Sequence, residues 1–257
     1  MLAVAMMAAA FATFALVFRW LAVRPRQQRW WYAALATVLA LPGALFAVYY
    51  LRVLPEMAWY YELRSWPGSE LLLLPLGAAG AAWAALLPRR LLVLPLLAAG
   101  VAAAVPFLKP LMWPLATESL ADQWQGDICI QSTPATCGPA SAATILRTLG
   151  LDADEATLAH DARSSATGTE AWYLARALRA RGVTARFRIT DDFDPDGPLP
   201  AIIGVRLRGG SGHFIAVLGR AGEAFVIGDP LDGRKTLPLE RLRRRYTLTG
   251  FRMHLTR

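Results

Sequence analysis

Gln131-Ser132-Thr133-Pro134-Ala135-Thr136-Cys137-Gly138-Pro139-Ala140-Ser141-Ala142-Ala143-Thr144-Ile145-Leu146 sets a cysteine at the head of a run of small and apolar residues. The run has strong helical character, and Pro139 suits a first helical turn, where its missing N–H would have no partner. Thr133 and Thr136 are candidate caps, and Gly150 after Leu149 is the expected residue just past the helix end. The stretch therefore predicts a helix that opens at Cys137. Free N–H groups and the helix dipole favour negative charge there, which suits a sulfur nucleophile. A lone cysteine in this place would more simply pack the start of a helix. Its surroundings argue otherwise.

Gln131, six residues upstream, is near enough in sequence to set its side-chain amide beside the sulfur. With the backbone N–H of Cys137 it makes a candidate oxyanion hole. Downstream, Gly212-His213-Phe214-Ile215-Ala216-Val217-Leu218 reads as a strand opening with histidine. Phe225-Val226-Ile227-Gly228-Asp229-Pro230 reads as a strand closing with aspartate, and Gly219–Glu223 is a loop of hairpin length. Pairing Leu218 with Ala224 and counting outward sets His213 directly opposite Asp229 on one face. There a carboxylate orients the imidazole, and the imidazole takes the cysteine proton. Taken singly, His213 is a strand-end histidine and Asp229-Pro230 a turn. Four polar positions in one consistent geometry are harder to explain that way. Gly138 after the cysteine, and Gly212 at the end of Gly209-Gly210-Ser211-Gly212, let backbone approach a bound peptide and are candidate substrate contacts.

Gln131, Cys137-Gly138, Gly212-His213-Phe214 and Asp229-Pro230, in this order, resemble the papain-like cysteine peptidases of the bacteriocin-processing, double-glycine peptidase family. The resemblance covers roughly residues 119 to 257. It implies an α+β domain with Cys137 as nucleophile, His213 as base, Asp229 as its orienter and Gln131 as oxyanion donor. Family members that process export leaders are usually fused to an ATP-driven exporter. This sequence has no Gly-x-x-x-x-Gly-Lys-Ser/Thr phosphate loop, so the implied exporter partner would be separately encoded.

The first hundred residues are of another kind. Over 257 residues the apolar content of 55% is above that of a soluble domain and points to membrane segments. The net charge of +8 concentrates beside apolar runs, the mark of membrane orientation rather than of nucleic-acid binding. Residues 2–18 are uninterrupted apolar and small residues followed by Arg19, with no positive residue before them, so they read as a span and not a cleaved signal. Further runs cover Trp30 to Leu51, Glu70 to Leu87 and Leu91 to Leu108, the last weakened by Pro95 and Pro106. Residues 52–69, with Arg52, Glu56, Glu62, Arg64 and several aromatics, read as an amphipathic interfacial loop. The expectation is an all-α bundle of about four helices over 1–113 in a bacterial inner membrane, a linker over 114–124 and the peptidase domain over 125–257.

Within that domain, helices are expected over Asp152–Ala162, capped by Asp152, and over Thr169–Arg181. Strands are expected at 183–189, 199–208 and 249–255, with a basic helix or turn at 237–246. His160 belongs on a surface. The prolines in Asp191–Asp196 and the absence of a terminal glutamate argue against calcium, and two cysteines cannot hold zinc alone. No cofactor is implied. Arg19, Arg24, Arg26 and Arg29 after the first run, and Arg89 and Arg90 after the third, mark those loops as cytoplasmic, which sets the peptidase on the extracytoplasmic face. Two other functions fit the same residues: an inactive peptidase-like domain that binds a peptide, and an amidase or acyltransferase using the same triad.

Overall fold

The computed structural model describes residues 2–50 and 54–257. Leu51, which ends the second apolar run, and Arg52, in the loop after it, lie outside the described residues. The chain forms two compact units, Met1–Pro55 with Pro67–Leu111, and Glu56–Trp66 with Met112–Arg257.

Helix α1 runs Leu2–Ala22 and α2 Arg26–Tyr49. Helix α3, Ala58–Ser65, belongs to the second unit. The first unit resumes with 3-10 helix Ser69–Leu73 leading into α4, Leu74–Ala84. It closes with α5, Val93–Ala104, and α6, Leu108–Met112, whose last residue is counted with the second unit. Helix α4 packs against α1, α2 and α5. Glycines permit the close approach: Gly77 faces the Ala10 carbonyl and Gly43 the Leu72 carbonyl, with no room for a Cβ at either. Arg29 ties the α1–α2 turn to the end of α4 by donating to the carbonyls of Arg24 (2.9 Å) and Ala85 (2.8 Å). At the opposite end of α2, Lys109 lies 5.6 Å from the Tyr50 ring. The helices therefore alternate in direction, and the basic turns share one end.

Among the described residues three helical runs are long and apolar enough to cross a membrane: Ala3–Ala22, Arg26–Tyr49 and Arg89–Met112. The run that the prolines were expected to break is thus among the long ones. Pro95 sits in the first turn of α5 and Pro106 opens a 3-10 turn, where a missing N–H costs little. Ser69–Ala84 is the short member instead.

The second unit is α+β. A two-stranded ribbon, β1 (Gln123–Gln125) with β2 (Ile128–Ile130), leads to α7, Cys137–Thr148. Helices α8, Glu155–Asp161, and α9, Ala171–Ala180, follow. Asp154, not Asp152, caps α8, its carboxylate accepting the Thr157 N–H at 2.6 Å. Strands β3 (Thr184–Ile189), β4 (Ala201–Arg206), β5 (Gly212–Ala221), β6 (Ala224–Asp229) and β7 (Gly233–Pro238) precede α10 (Leu239–Arg245) and β8 (Thr247–Thr256). They form one antiparallel sheet in the order β3-β8-β4-β5-β6-β7. The ribbon and β7 were not expected, being short and lacking a strong alternation. On one face Ile203, Val205, Ile215, Val217, Phe225 and Ile227 make a core closed by Leu242 and Tyr246. Against the other lies α7, where Ser141 donates to the Phe214 carbonyl and Gly228 leaves room for Thr144.

The β5–β6 hairpin differs from the expected register. Its turn is the two residues Gly222-Glu223, with Gly222 at φ +60°, so Ala221 pairs with Ala224. An irregularity at Leu218 then shifts the ladder, and Val217 pairs with Ile227 and Ala216 with Gly228. Continued by one step, this register sets Ile215 opposite Asp229. His213 is therefore the diagonal neighbour of Asp229, not its direct partner. Both stay on one face, and diagonal neighbours lie within reach of a long or aromatic side chain.

Candidate active site

Cys137 is the first residue of α7, half-buried, at the end of a loop whose shape is fixed by hydrogen bonds. The Ser132 N–H and hydroxyl both donate to the fully buried Glu155 carboxylate on α8, the N–H at 2.8 Å. Thr133 N–H donates to the Thr136 hydroxyl at 3.1 Å, and that hydroxyl donates back to the Thr133 carbonyl at 3.0 Å. The expected capping role of Thr136 is thus only positional. It stands at the cap, but no side chain caps the helix, because its hydroxyl is turned into the loop. Among the described residues no side chain caps the first-turn N–H groups, a setting that suits an anion. Gly150 ends the helix as expected, at φ +73°.

His213 opens β5 and Asp229 closes β6, and both are buried. His213 Nε2 lies 3.0 Å from Asp229 Oδ1. Cys137 lies near enough to act on the imidazole, and with Nε2 turned to Asp229 it is Nδ1 that is left for the sulfur. Burial alone would pull the imidazole down, but the hydrogen bond with Asp229 and the nearby Cys137 outweigh it, and its pKa is pushed up to about 9. Burial would likewise push the Asp229 carboxyl up. Hydrogen bonds from His213, Tyr246 and the Leu231 N–H outweigh it and bring the carboxyl down to about 2. The structure thus joins His213 to Asp229 by a hydrogen bond and brings Cys137 close to the same imidazole. Such an arrangement can hold an imidazolium against the carboxylate and pass one proton on the sulfur side.

These shifts set a pH window. A raised His213 contributes stability in full below about 6.5 and loses it as pH rises through about 9. A lowered Asp229 contributes above about 3.9 and loses it as pH falls through about 2. We expect kcat/KM to fall on its alkaline side near pH 9, where the imidazolium is lost, with the unfolding free energy declining over the same range. A pH–rate profile that stays flat through pH 10 would remove His213 from the proton transfer.

Tyr246, at the end of α10, was not foreseen as part of the site. Its hydroxyl donates to Asp229 Oδ2, while the Leu231 N–H donates to Oδ1 at 3.0 Å. Tyr246 is therefore a positioning residue that fixes the carboxylate behind the imidazole. Arg245 Nε donates to the Tyr246 oxygen at 3.0 Å, and Lys235 stands 4.0 Å from Oδ2. A tyrosine after a basic helix carries no sequence signal for such a role.

Gln131 follows β2, and its backbone N–H donates to the Pro230 carbonyl at 3.0 Å, which joins it to the segment after Asp229. Its Nε2 donates to the Thr133 carbonyl at 2.7 Å, while Oε1 is buried with no partner among the described residues. No hydrogen bond among the described residues joins Gln131 to Cys137 or His213. The amide is tied to the loop that presents the sulfur and keeps a second N–H. A Cβ on Gly138 would make ordinary contact with Leu174 and Phe214, and one on Gly212 would meet nothing, so packing demands neither glycine.

The remaining candidates lie apart. Cys129 is buried on β2, and burial, with Glu155 and Asp122 nearby, pushes its thiol far up. His160 is exposed on α8 beside Asp161, and His254 lies on β8 paired with Arg186. Among the described residues no group of three His, Cys, Asp or Glu could hold a metal.

The model of the peptidase C39 family matches residues 125–254. An uncharacterized protein of Methanothermobacter thermautotrophicus is 32% identical over 125 residues, 47% of this chain and 82% of that protein. Among solved structures, one similar chain is a double glycine motif protease from an AMS/PCAT transporter in complex with the leader peptide. It is 25% identical with a TM-score of 0.42, over 50% of this chain and 89% of that one. Another is the peptidase domain of Streptococcus ComA, a bifunctional ABC transporter involved in a quorum sensing pathway. It is 23% identical with a TM-score of 0.42, over 53% of this chain and 96% of that one. The family match runs from the end of β1 into β8 and takes in more than half of the chain, which belongs to the peptidase C39 family and is a cysteine peptidase.

Proposed function

We propose that this chain is a membrane-anchored peptidase that cleaves peptide bonds of leader or precursor peptides through Cys137, His213 and Asp229. The observation that carries the reading is the buried, hydrogen-bonded His213–Asp229 pair beside a cysteine at a helix start without a side-chain cap. The Cys137 thiolate attacks the carbonyl carbon, and the carbonyl π electrons move to oxygen. The Cys137 N–H and the Gln131 amide stabilise that oxyanion. The intermediate collapses as the amine leaves with a proton from His213, which gives a thioester. Neutral His213 then takes a proton from water, the hydroxide displaces the thiolate, and the acid is released. No cofactor enters these steps. Gly138 and Gly212 are the proposed points of close backbone approach to the peptide. Replacing Gln131 with alanine should lower kcat by roughly two to three orders of magnitude, as loss of one oxyanion donor does. An unchanged kcat would take Gln131 out of the site.

The bundle is the proposed anchor in a bacterial inner membrane, and the domain limits are proposed as 1–113, 114–124 and 125–257. Glu56–Trp66 and Met112–Arg257 make one compact body, so both lie on one side of any membrane the bundle crosses. The chain between them must then cross an even number of times. This requires Ser69–Ala84 to cross as well as Arg89–Met112. With five residues of 3-10 helix and eleven of α-helix, it reaches roughly 26 Å. That is slightly less than the ~30 Å hydrocarbon layer, a mismatch met by local thinning. Arg29 brings the two basic turns to one end of the bundle, which is the cytoplasmic end by the positive-inside rule. The peptidase unit then faces outward and meets peptides delivered by a separately encoded exporter. On intact spheroplasts a membrane-impermeant maleimide should modify Cys137. Modification only after lysis would reverse the orientation. The substrate test is direct: precursors should accumulate uncleaved in cells carrying Cys137→Ala and not in cells carrying the native chain.

A further inference from the structure

We propose that α3, which the sequence sets between two membrane segments, is a working part of the catalytic unit, with Tyr61 as a positioning residue for both Cys137 and His213. The inference rests on the reading of those two residues as the reacting pair.

The family match begins at residue 125 and does not include α3. Yet α3 belongs to the peptidase unit and buries Tyr60, Tyr61, Arg64 and Ser65. Tyr61 is 4% exposed, with its ring centroid 5.5 Å from Trp172, 5.3 Å from Phe187 and 5.6 Å from Phe251. Phe251 in turn lies 5.2 Å from Phe214, the residue after His213. A second line runs through α9, which carries both Trp172 and Leu174. A Cβ on Gly138, next to Cys137, would sit 3.4 Å from Leu174 and 3.5 Å from Phe214. One ring thus braces the strand that carries the imidazole and the helix start that carries the sulfur.

Polar contacts fix α3 in place. Glu62 accepts the Phe187 N–H at 3.0 Å and an Arg179 N–H at 2.6 Å. Strand β3 is the edge of the sheet, so the Phe187 N–H has no neighbouring strand on that side, and Glu62 takes its place. Arg64 is fully buried, its guanidinium 5.3 Å from the Trp172 ring. Arg176 donates to the Arg64 and Trp66 carbonyls at 2.8 and 2.9 Å. A segment that served only as a tether would not need a buried arginine, an ion pair and a ring inside the core.

The consequence is chemical. Loss of the Tyr61 ring lets β8 and α9 relax, and the distance between Cys137 and His213 grows. Displacement of a catalytic group by about 1 Å costs up to roughly a hundredfold. The test uses the full chain in detergent, with Cys129→Ser as background and iodoacetamide as the probe of Cys137. Alkylation at pH 6.5 reads the thiolate–imidazolium pair, because an isolated thiol reacts slowly there. Tyr61→Ala is expected to slow alkylation at pH 6.5 by about tenfold or more and to restore it only as pH rises, within the hundredfold range given. Tyr61→Phe, which keeps the ring, should match the parent. Tyr61→Leu keeps apolar volume if alanine unfolds the unit, and it should show the same loss. A folded Tyr61→Ala or Tyr61→Leu with the parent's rate at pH 6.5 overturns the proposal. If the parent itself reacts only as an ordinary thiol, the reading of Cys137 and His213 fails first, and the two failures are told apart.

Discussion

Cys137→Ala is expected to abolish turnover, by roughly six orders of magnitude, while leaving the peptidase unit folded. The size follows from the role: without the sulfur there is no thioester route, and only residual oxyanion and binding effects remain. The fold is spared because Cys137 is half-buried and stands at a helix start, where alanine is a good helix former. The same variant should lose all labelling by a thiol-directed activity probe. Cys129 cannot replace it, since it is fully buried and its thiol is held protonated. Cleavage that persists in a labelling-negative protein would show that another group is the nucleophile.

His213→Ala should cost a comparable factor, again about six orders of magnitude, since nucleophile and base act as a unit. Asp229→Asn should cost less, on the order of ten-thousandfold or below. Asparagine retains one oxygen to accept from His213 Nε2, and its amide can donate to the Tyr246 oxygen where the carboxylate now accepts. What is lost is the charge that holds the imidazolium. The alkaline limb near pH 9 should therefore move down in Asp229→Asn while cleavage persists at lower pH. Equal and complete losses in both variants would mean that the carboxylate does more than orient and stabilise the ring.

The placing of Cys137 at a helix start and of His213 beside Asp229 was legible because each residue sits near the boundary of an element whose pattern is local. A small-residue helix opens at Cys137, and two apolar strands flank a glycine-bearing turn. The supporting groups were not legible, for two physical reasons. Tyr246 reaches Asp229 from the end of α10, a position that in the sequence resembles that of any core tyrosine. In α3, Trp59, Tyr60 and Tyr61 beside an apolar run have the composition of a membrane interface, where the same amphipathic rings are favoured. Composition does not distinguish a ring at the headgroups from one in a protein core. The distinction lies in contacts such as Arg64 with Tyr173, 109 residues apart. The bundle showed the reverse: prolines at Pro95 and Pro106 suggested a break that their helix-start positions prevent.

The irregularity at Leu218 has an arithmetic consequence. In a hairpin with a two-residue turn, cross-strand residues that share a face differ in number by an odd amount, as Ala221 and Ala224 do. His213 and Asp229 are 16 apart, an even number. A regular ladder would therefore set Ala216 across from Asp229 and turn the carboxylate to the far side of the sheet from the imidazole. The extra residue at Leu218 converts odd to even, so that an even spacing shares a face. The parity of the hairpin, and not only its two polar residues, specifies the pair. Changes of length between His213 and Asp229 preserve it in twos and destroy it in ones, even though Leu218 itself touches no reacting group.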